Sequence, residues 1–114
     1  MIHYGVTKTA QLALSRGLAE TTAGSHVTVN TVLPGPTRSE GLEDFIQGLS
    51  KDQNISIEQV EKEYFTKMCP SSLIQRFAST SEVAALVAFV ASPLASAING
   101  AALRVEGGLV RSIV

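Results

Sequence analysis

Two strand-like segments separated by a helical crossover constrain the fold of this chain most strongly. Residues 26–33 are rich in β-branched side chains, and the segment ends where Pro34 cannot donate to a sheet. Residues 101–105 form the second segment, and Gly107-Gly108 follows it as a predicted turn. Because two strands joined by a helical crossover run parallel, we expect a parallel pair within an α/β fold.

Four helices are predicted around these strands. Gly24 is well placed to stop the first helix. The patterns Ser56–Gln59 and Ser79–Glu82 are typical of capping boxes that begin two later helices. The last helix is apolar on nearly all sides, so we expect it to be buried on more than one side. The predicted helices span residues 4–23, 39–48, 56–68 and 82–91, with a loop at 51–54.

Composition excludes several classes of function. The 114 residues suffice for one domain, and the net charge of −1 comes without a basic stripe, which argues against nucleic acid or an anionic membrane as partner. The longest apolar run is too short to span a bilayer, and Met1 is not followed by a signal-peptide pattern. Cys69 is the single cysteine and two histidines form no metal cluster, so we expect a cytoplasmic protein without a metal site.

Tyr4 and Lys8 are the candidate catalytic residues. A spacing of four on a helix places the two side chains next to each other. A nearby ammonium favours the phenolate, so the tyrosine could give or take a proton near neutral pH. The competing interpretation is an amphipathic residue beside a surface charge, because the pattern Y-x-x-x-K is weak when it stands alone.

Three segments in a fixed order resemble the C-terminal half of a short-chain dehydrogenase/reductase. Each motif is moderately specific, whereas their order and spacing together are strong. The resemblance covers essentially the whole chain. The segments are Tyr4-Gly5-Val6-Thr7-Lys8, Asn30-Thr31-Val32-Leu33-Pro34-Gly35-Pro36-Thr37, and Gly100-Ala101-Ala102-Leu103-Arg104-Val105-Glu106-Gly107-Gly108.

The resemblance implies a role for each matched residue. Tyr4 matches the catalytic acid/base, and Lys8 matches its partner on the nicotinamide ribose. Residues 38–77 match the variable lid over the substrate, which would be a small carbonyl compound or alcohol. The cofactor that the resemblance implies is NAD or NADP, and the residues implied to bind it are Tyr4, Lys8, Pro34, Gly35 and Thr37.

The resemblance also implies what this sequence lacks. No G-x-G-x-x-G loop for the cofactor phosphates occurs in it. We therefore expect residues 1–114 to form a single partial domain, the C-terminal part of a Rossmann-like doubly wound parallel sheet with two strands and four to five helices. The small-residue face of the first helix matches the family's dimer interface, which predicts a homo-oligomer. We expect this truncated oxidoreductase to be inactive alone.

Two alternatives stay open from the sequence. The chain could be an interaction or oligomerisation module that keeps the fold without binding a cofactor. Arg38 and Arg76 could meet an anionic ligand, although solvated charge is the simpler interpretation. The aromatic residues of the lid could line a substrate pocket or form packing contacts, and these are Phe45, Tyr64, Phe65 and Phe77.

Overall fold

The computed structural model describes residues 1–113, and they form an α/β fold with short parallel strands. Contacts group these residues into two compact units. The first unit combines Met1–Leu33 with Ala84–Arg104, and the second combines Pro34–Val83 with the segment from Val105 onward. The elements are α1 (Ile2–Thr21), β1 (Thr31–Pro34), β2 (Thr37–Arg38), α2 (Glu40–Gln53), α3 (Ile57–Glu63), a π-helical turn (Tyr64–Met68), β3 (Ala78–Ser79), α4 (Thr80–Val90), a 3-10 turn (Pro93–Ala95) and β4 (Ala102–Val105).

The predicted pair of parallel strands is confirmed. β1 pairs with β4. The N–H of Gly100 donates to the Val29 carbonyl and that of Thr31 to the Ala101 carbonyl, so the bonds advance in the same direction along both segments. β1 is shorter than predicted, because Val29 donates to the Asn99 side chain instead of to a strand.

The long first helix is also confirmed, with its end two residues earlier than predicted. The hydroxyl of Thr21 donates to the Leu18 carbonyl at 2.7 Å, and that of Thr22 to the Ala19 carbonyl at 2.8 Å. These bonds satisfy carbonyls that the end of a helix leaves without an N–H partner. Gly24 follows in a left-handed turn with φ of 76°.

The expected burial of α4 is wrong for this chain. The helix has no buried residue, and Val87 and Phe89 are 48% and 41% exposed. α1 likewise buries only Ala19. The apolar pattern of α4 shows that the helix could be buried on several sides. Residues 1–113 do not supply enough neighbouring side chains to cover it.

The second unit contains a compact hydrophobic cluster. Its buried members come from α2, α3, the π-helical turn and the segment before β3, and they are Ile46, Val60, Phe65, Cys69 and Phe77. The rings of Phe65 and Phe77 lie 4.9 Å apart in an edge-on arrangement. Cys69 is therefore part of the packing of this unit.

α2 corrects the predicted loop at residues 51–54. The helix continues to Gln53 and ends at Asn54, which takes a left-handed conformation with φ of 52°. Asparagine tolerates this conformation and is a common helix terminator. The polar residues before it lie on the exposed side of the last turn, so their polarity did not indicate a loop.

Both predicted caps exist, but only one is reciprocal. The Ser79 hydroxyl accepts from the Glu82 N–H at 3.2 Å, while the Glu82 carboxylate accepts from the Ser79 N–H at 2.8 Å. The Ser56 hydroxyl accepts from the Gln59 N–H, whereas the Gln59 side chain donates to Glu63. The first of these caps is thus a complete capping box and the second is half of one.

Candidate active site

Tyr4 and Lys8 lie together on one face of α1. The Lys8 ammonium lies 5.6 Å from the centroid of the Tyr4 ring, within the range of a cation–π contact. It also donates to the Gln11 side chain over a long 3.4 Å bond. Tyr4 is 52% exposed, so its phenol faces open space rather than a packed wall. This arrangement confirms the predicted neighbourhood of the two side chains.

The segment from Pro34 to Thr37 is a bend between the two short strands β1 and β2. The N–H of Gly35 donates to the Val105 carbonyl at 3.2 Å. The Pro36 carbonyl accepts from Ala78 N–H at 3.0 Å. Thr37 and Arg38 then pair in parallel with Ala78 and Ser79, which is the β2–β3 pair that the sequence did not predict.

Gly35 is required at this bend by close approach, not by an unusual φ. A Cβ at this position would lie 2.7 Å from the Cα of Glu106, a distance that backbone packing does not allow. The Thr37 hydroxyl donates to the Gly35 carbonyl at 2.9 Å and holds the bend from inside. Pro34, Gly35 and Thr37 therefore form one rigid group in the second unit. Their placement relative to Tyr4 and Lys8 stays a prediction.

Arg38 connects the bend to the helices of the predicted lid. Its guanidinium pairs with Glu61 at 2.5 Å and with Glu43 at 3.3 Å, and it lies 5.9 Å from the centroid of the Phe77 ring. The second oxygen of Glu61 accepts from the Phe77 N–H. The sequence predicts either solvated charge or an anion ligand at Arg38. It is instead committed to an ion-pair network within this unit.

Arg76 also forms an ion pair, through two bonds to Glu82 at 2.8 and 2.9 Å. The hydrogen bond from Arg76, followed by that from the Ser79 N–H, lowers the pKa of Glu82 to about 2. The side chain stays ionised and caps α4. Solvated charge was therefore an incomplete interpretation of Arg76.

Asn30, which forms part of the second motif, has a structural role that the sequence did not indicate. Its Nδ2 donates to the Ile98 carbonyl at 2.8 Å, and its Oδ1 accepts from the Ala101 N–H at 3.1 Å. Asn99 acts similarly, since its Nδ2 donates to the Thr22 hydroxyl at 3.0 Å. Within the first unit, these two amides hold the turn before β4 against the residues that follow α1 and precede β1.

Residues 1–113 contain no group of three or more His, Cys, Asp or Glu side chains arranged to hold a metal ion. No helix among them combines the length and apolarity needed to cross a membrane.

Comparison with known proteins decides the family. The sequence profile of enoyl-(acyl carrier protein) reductases matches residues 1–110. The chain belongs to the short-chain dehydrogenase/reductase family. It is 50% identical over 113 residues to the uncharacterized oxidoreductase YvaG of Bacillus subtilis, and 51% identical over 113 residues to the uncharacterized oxidoreductase YvrD of the same organism.

The match extends along nearly all of this chain but along less than half of its relatives. It covers 99% of this chain and 43% of either oxidoreductase. Among solved structures, L-sorbose reductase from Gluconobacter frateurii, complexed with NADPH and L-sorbose, superposes with a TM-score of 0.84 at 27% identity. That likeness covers 96% of this chain and 41% of the reductase. The fold is therefore that of a part of a Rossmann-type short-chain dehydrogenase.

Proposed function

We propose that this chain is the catalytic portion of an NAD(P)-dependent short-chain dehydrogenase/reductase acting on a small carbonyl compound or alcohol. The observation that carries the proposal is the adjacency of the Lys8 ammonium and the Tyr4 ring on an exposed helix face. Membership of the family supports the proposal. So does the similarity to L-sorbose reductase, whose structure is complexed with NADPH.

Each residue has a defined task in this proposal. The Tyr4 hydroxyl gives a proton to the substrate oxygen during reduction and takes it back during oxidation. Lys8 lies beside the Tyr4 ring and donates to a ribose hydroxyl. Among the described residues, the ammonium makes one hydrogen bond, the long one to Gln11. It therefore has further N–H groups with which to bind a ribose. The nicotinamide, when bound, supplies or accepts the hydride.

The rigid bend is proposed to position the nicotinamide. Pro34, Gly35 and Thr37 present an extended backbone whose geometry is fixed by the bonds to Val105 and Ala78. A fixed surface orients a flat ring without further ordering cost when the ring binds. The phosphates would be held elsewhere, since the sequence contains no G-x-G-x-x-G loop. We therefore propose that the 114 residues alone do not turn over.

The alternative is an interaction module in which Tyr4 and Lys8 are incidental, and cofactor binding discriminates between the two. The chain is mixed with the part of YvaG that precedes the counterpart of Tyr4, and NADPH fluorescence is recorded. The enzyme proposal predicts enhanced fluorescence, which is lost when Tyr4→Phe is combined with Lys8→Ala. A matched control, Lys51→Ala on the exposed end of α2, should leave the enhancement unchanged.

No enhancement in a mixture that forms a complex by gel filtration would favour the module. An enhancement that survives the double substitution would also contradict the proposed role of the pair.

We further propose that the isolated chain associates with itself or with a complementary segment. The small-residue face of α1 is open along a shallow groove, and Val6 within it is 63% exposed. α4 is apolar and exposed as well. Exposed apolar patches of this kind mark association surfaces. Analytical ultracentrifugation should show dimers or larger species at micromolar concentration, and a compact monomer would contradict this proposal.

A further inference from the structure

An apolar cavity of about 370 Å³ lies within the second unit, between α2, α3 and the π-helical turn. This volume is in the range of roughly 300–1,000 Å³ that is typical of small-molecule sites. α2 supplies most of the apolar lining on one side, and the opposite side comes from α3 and the turn. The side chains that matter for the argument are Leu42, Phe45, Leu49, Val60, Met68 and Phe77.

One wall of the cavity is a rigid group of aromatic rings. The Tyr64 and Phe77 rings, which both line it, have centroids 4.9 Å apart. Phe65 packs behind them, with its centroid 5.2 Å from that of Tyr64, and is almost completely buried. Since the core holds these rings in place, the wall exists before any ligand arrives. Such a wall binds a ring or an alkyl chain at low ordering cost.

Four polar side chains line the cavity, Gln53, Glu63, Tyr64 and Lys67, and none of them presents an unpaired charge. The Lys67 ammonium pairs with the Glu63 carboxylate at 2.6 Å, so their charges cancel. The hydrogen bond from Lys67 also lowers the pKa of Glu63, which keeps the carboxyl ionised. Burial raises the pKa of Tyr64, with Cys69 adding to the effect, so the phenol is neutral. A polyol placed here would lose hydration against an apolar lining.

We propose that this cavity binds the uncharged apolar part of a small carbonyl or alcohol substrate, such as an aryl or alicyclic ring. Its connection with hydride transfer rests on the proposed function above. Binding in the cavity itself requires neither the cofactor nor Tyr4. The two proposals can therefore fail separately.

The test is binding of 4-phenylbutan-2-one to the 114-residue chain, followed by NMR of methyl groups. Saturable shifts are expected for the methyl groups of Leu42, Leu49 and Met68, and L-sorbose at the same concentration should cause none. Met68 is 73% exposed at the cavity, so Met68→Trp should fill the opening without disturbing the core. We expect it to raise the Kd about tenfold, which is roughly 1.4 kcal/mol.

Two further variants make the result specific. Phe45→Gln, at a half-exposed lining position, should weaken binding in the same direction as Met68→Trp. Leu73→Trp, at an exposed position outside the cavity, should leave the Kd unchanged.

Several outcomes would overturn this inference. They are an absence of shifts in a chain that is folded by circular dichroism, shifts of equal size with L-sorbose, and unchanged affinity in both Met68→Trp and Phe45→Gln. If the ketone binds as predicted but the mixture with the YvaG segment binds no NADPH, the proposed function fails and the cavity site stands. The reverse result rejects the cavity site alone.

Discussion

Gly35 approaches Glu106 so closely that a methyl group on Gly35 would lie 2.7 Å from both the Cα and the Cβ of Glu106. The contact joins the bend after β1 to the residue that follows β4. Because the nearest atom belongs to the backbone, a side chain at position 35 cannot be accommodated by a rotamer change. The geometry of the proposed nicotinamide surface thus depends on the absence of a side chain.

Gly35→Ala should therefore destabilise the chain by about 1–3 kcal/mol, the usual cost of forcing extra volume into a packed region. Urea denaturation measures this change. Gly48→Ala is the matched control, because a Cβ there has no neighbour within 4 Å inside α2. That substitution should stabilise the helix by roughly 0.5–1 kcal/mol. Equal effects of the two substitutions would show that the Glu106 contact is unimportant.

Arg38→Gln should destabilise the second unit by about 1.5–3 kcal/mol, since it removes two charge-assisted contacts that are partly shielded from water. Arg16→Gln provides the comparison. The Arg16–Glu20 pair is 63% and 67% exposed, so its loss should cost less than about 1 kcal/mol. Urea denaturation of both variants checks the difference. A loss for Arg38→Gln no larger than that for Arg16→Gln would contradict the proposed network.

The Arg76–Glu82 pair predicts a pH dependence of stability. The pKa of Glu82 is about 2 in the folded chain against an ordinary value of 4.5. A lowered folded-state pKa means that the contribution of Glu82 is complete above pH 4.5 and is lost as the pH falls towards 2. The stability difference between the wild type and Glu82→Gln should shrink over this window in urea titrations. A difference that stays constant from pH 6 to pH 2 would refute this assignment.

Asn30→Ala should cost about 1–3 kcal/mol, because it leaves the Ile98 carbonyl and the Ala101 N–H without their side-chain partner. Asn30→Asp keeps the acceptor for Ala101 but removes the donor to Ile98, so its loss should be smaller. Thermal unfolding monitored by circular dichroism ranks the stability of the wild type, Asn30→Asp and Asn30→Ala. If Asn30→Ala matches the wild type, the structural role given to this amide is wrong.

Features with a local cause could be predicted from the sequence. The helix that bears Tyr4 and Lys8, the cap at Ser79 and the turn at Gly107-Gly108 each depend on neighbours in the chain, and all three are present. Gly107 and Gly108 have φ of 67° and 73°, which explains why glycine occupies both positions.

Features that depend on distant contacts could not be predicted in this way. The β2–β3 pair brings Thr37 to Ala78 across 40 intervening residues, and its strands are too short to show an alternating pattern. The requirement for Gly35 arises from Glu106, more than half the chain away. The exposed α4 shows the opposite case, in which the sequence indicates burial that the described residues do not supply.

The same distinction between local and distant contacts applies to the candidate site. A spacing of four is a helical property, so the proximity of Tyr4 and Lys8 was predictable. The commitment of Arg38 to Glu43 and Glu61 was not, because each partner lies on a different helix. The apolar cavity likewise follows from how α2 packs against α3.

The most direct test of the central claim replaces the matched segment of YvaG with residues 1–113 and measures NADPH consumption with a panel of small aldehydes and ketones. Tyr4→Phe in this chimera should lower kcat by about 10²–10⁴ while the chimera still binds NADPH. Lys8→Ala should raise that Kd. Full turnover in the Tyr4→Phe chimera, or no reduction by a chimera that binds NADPH, would contradict the account.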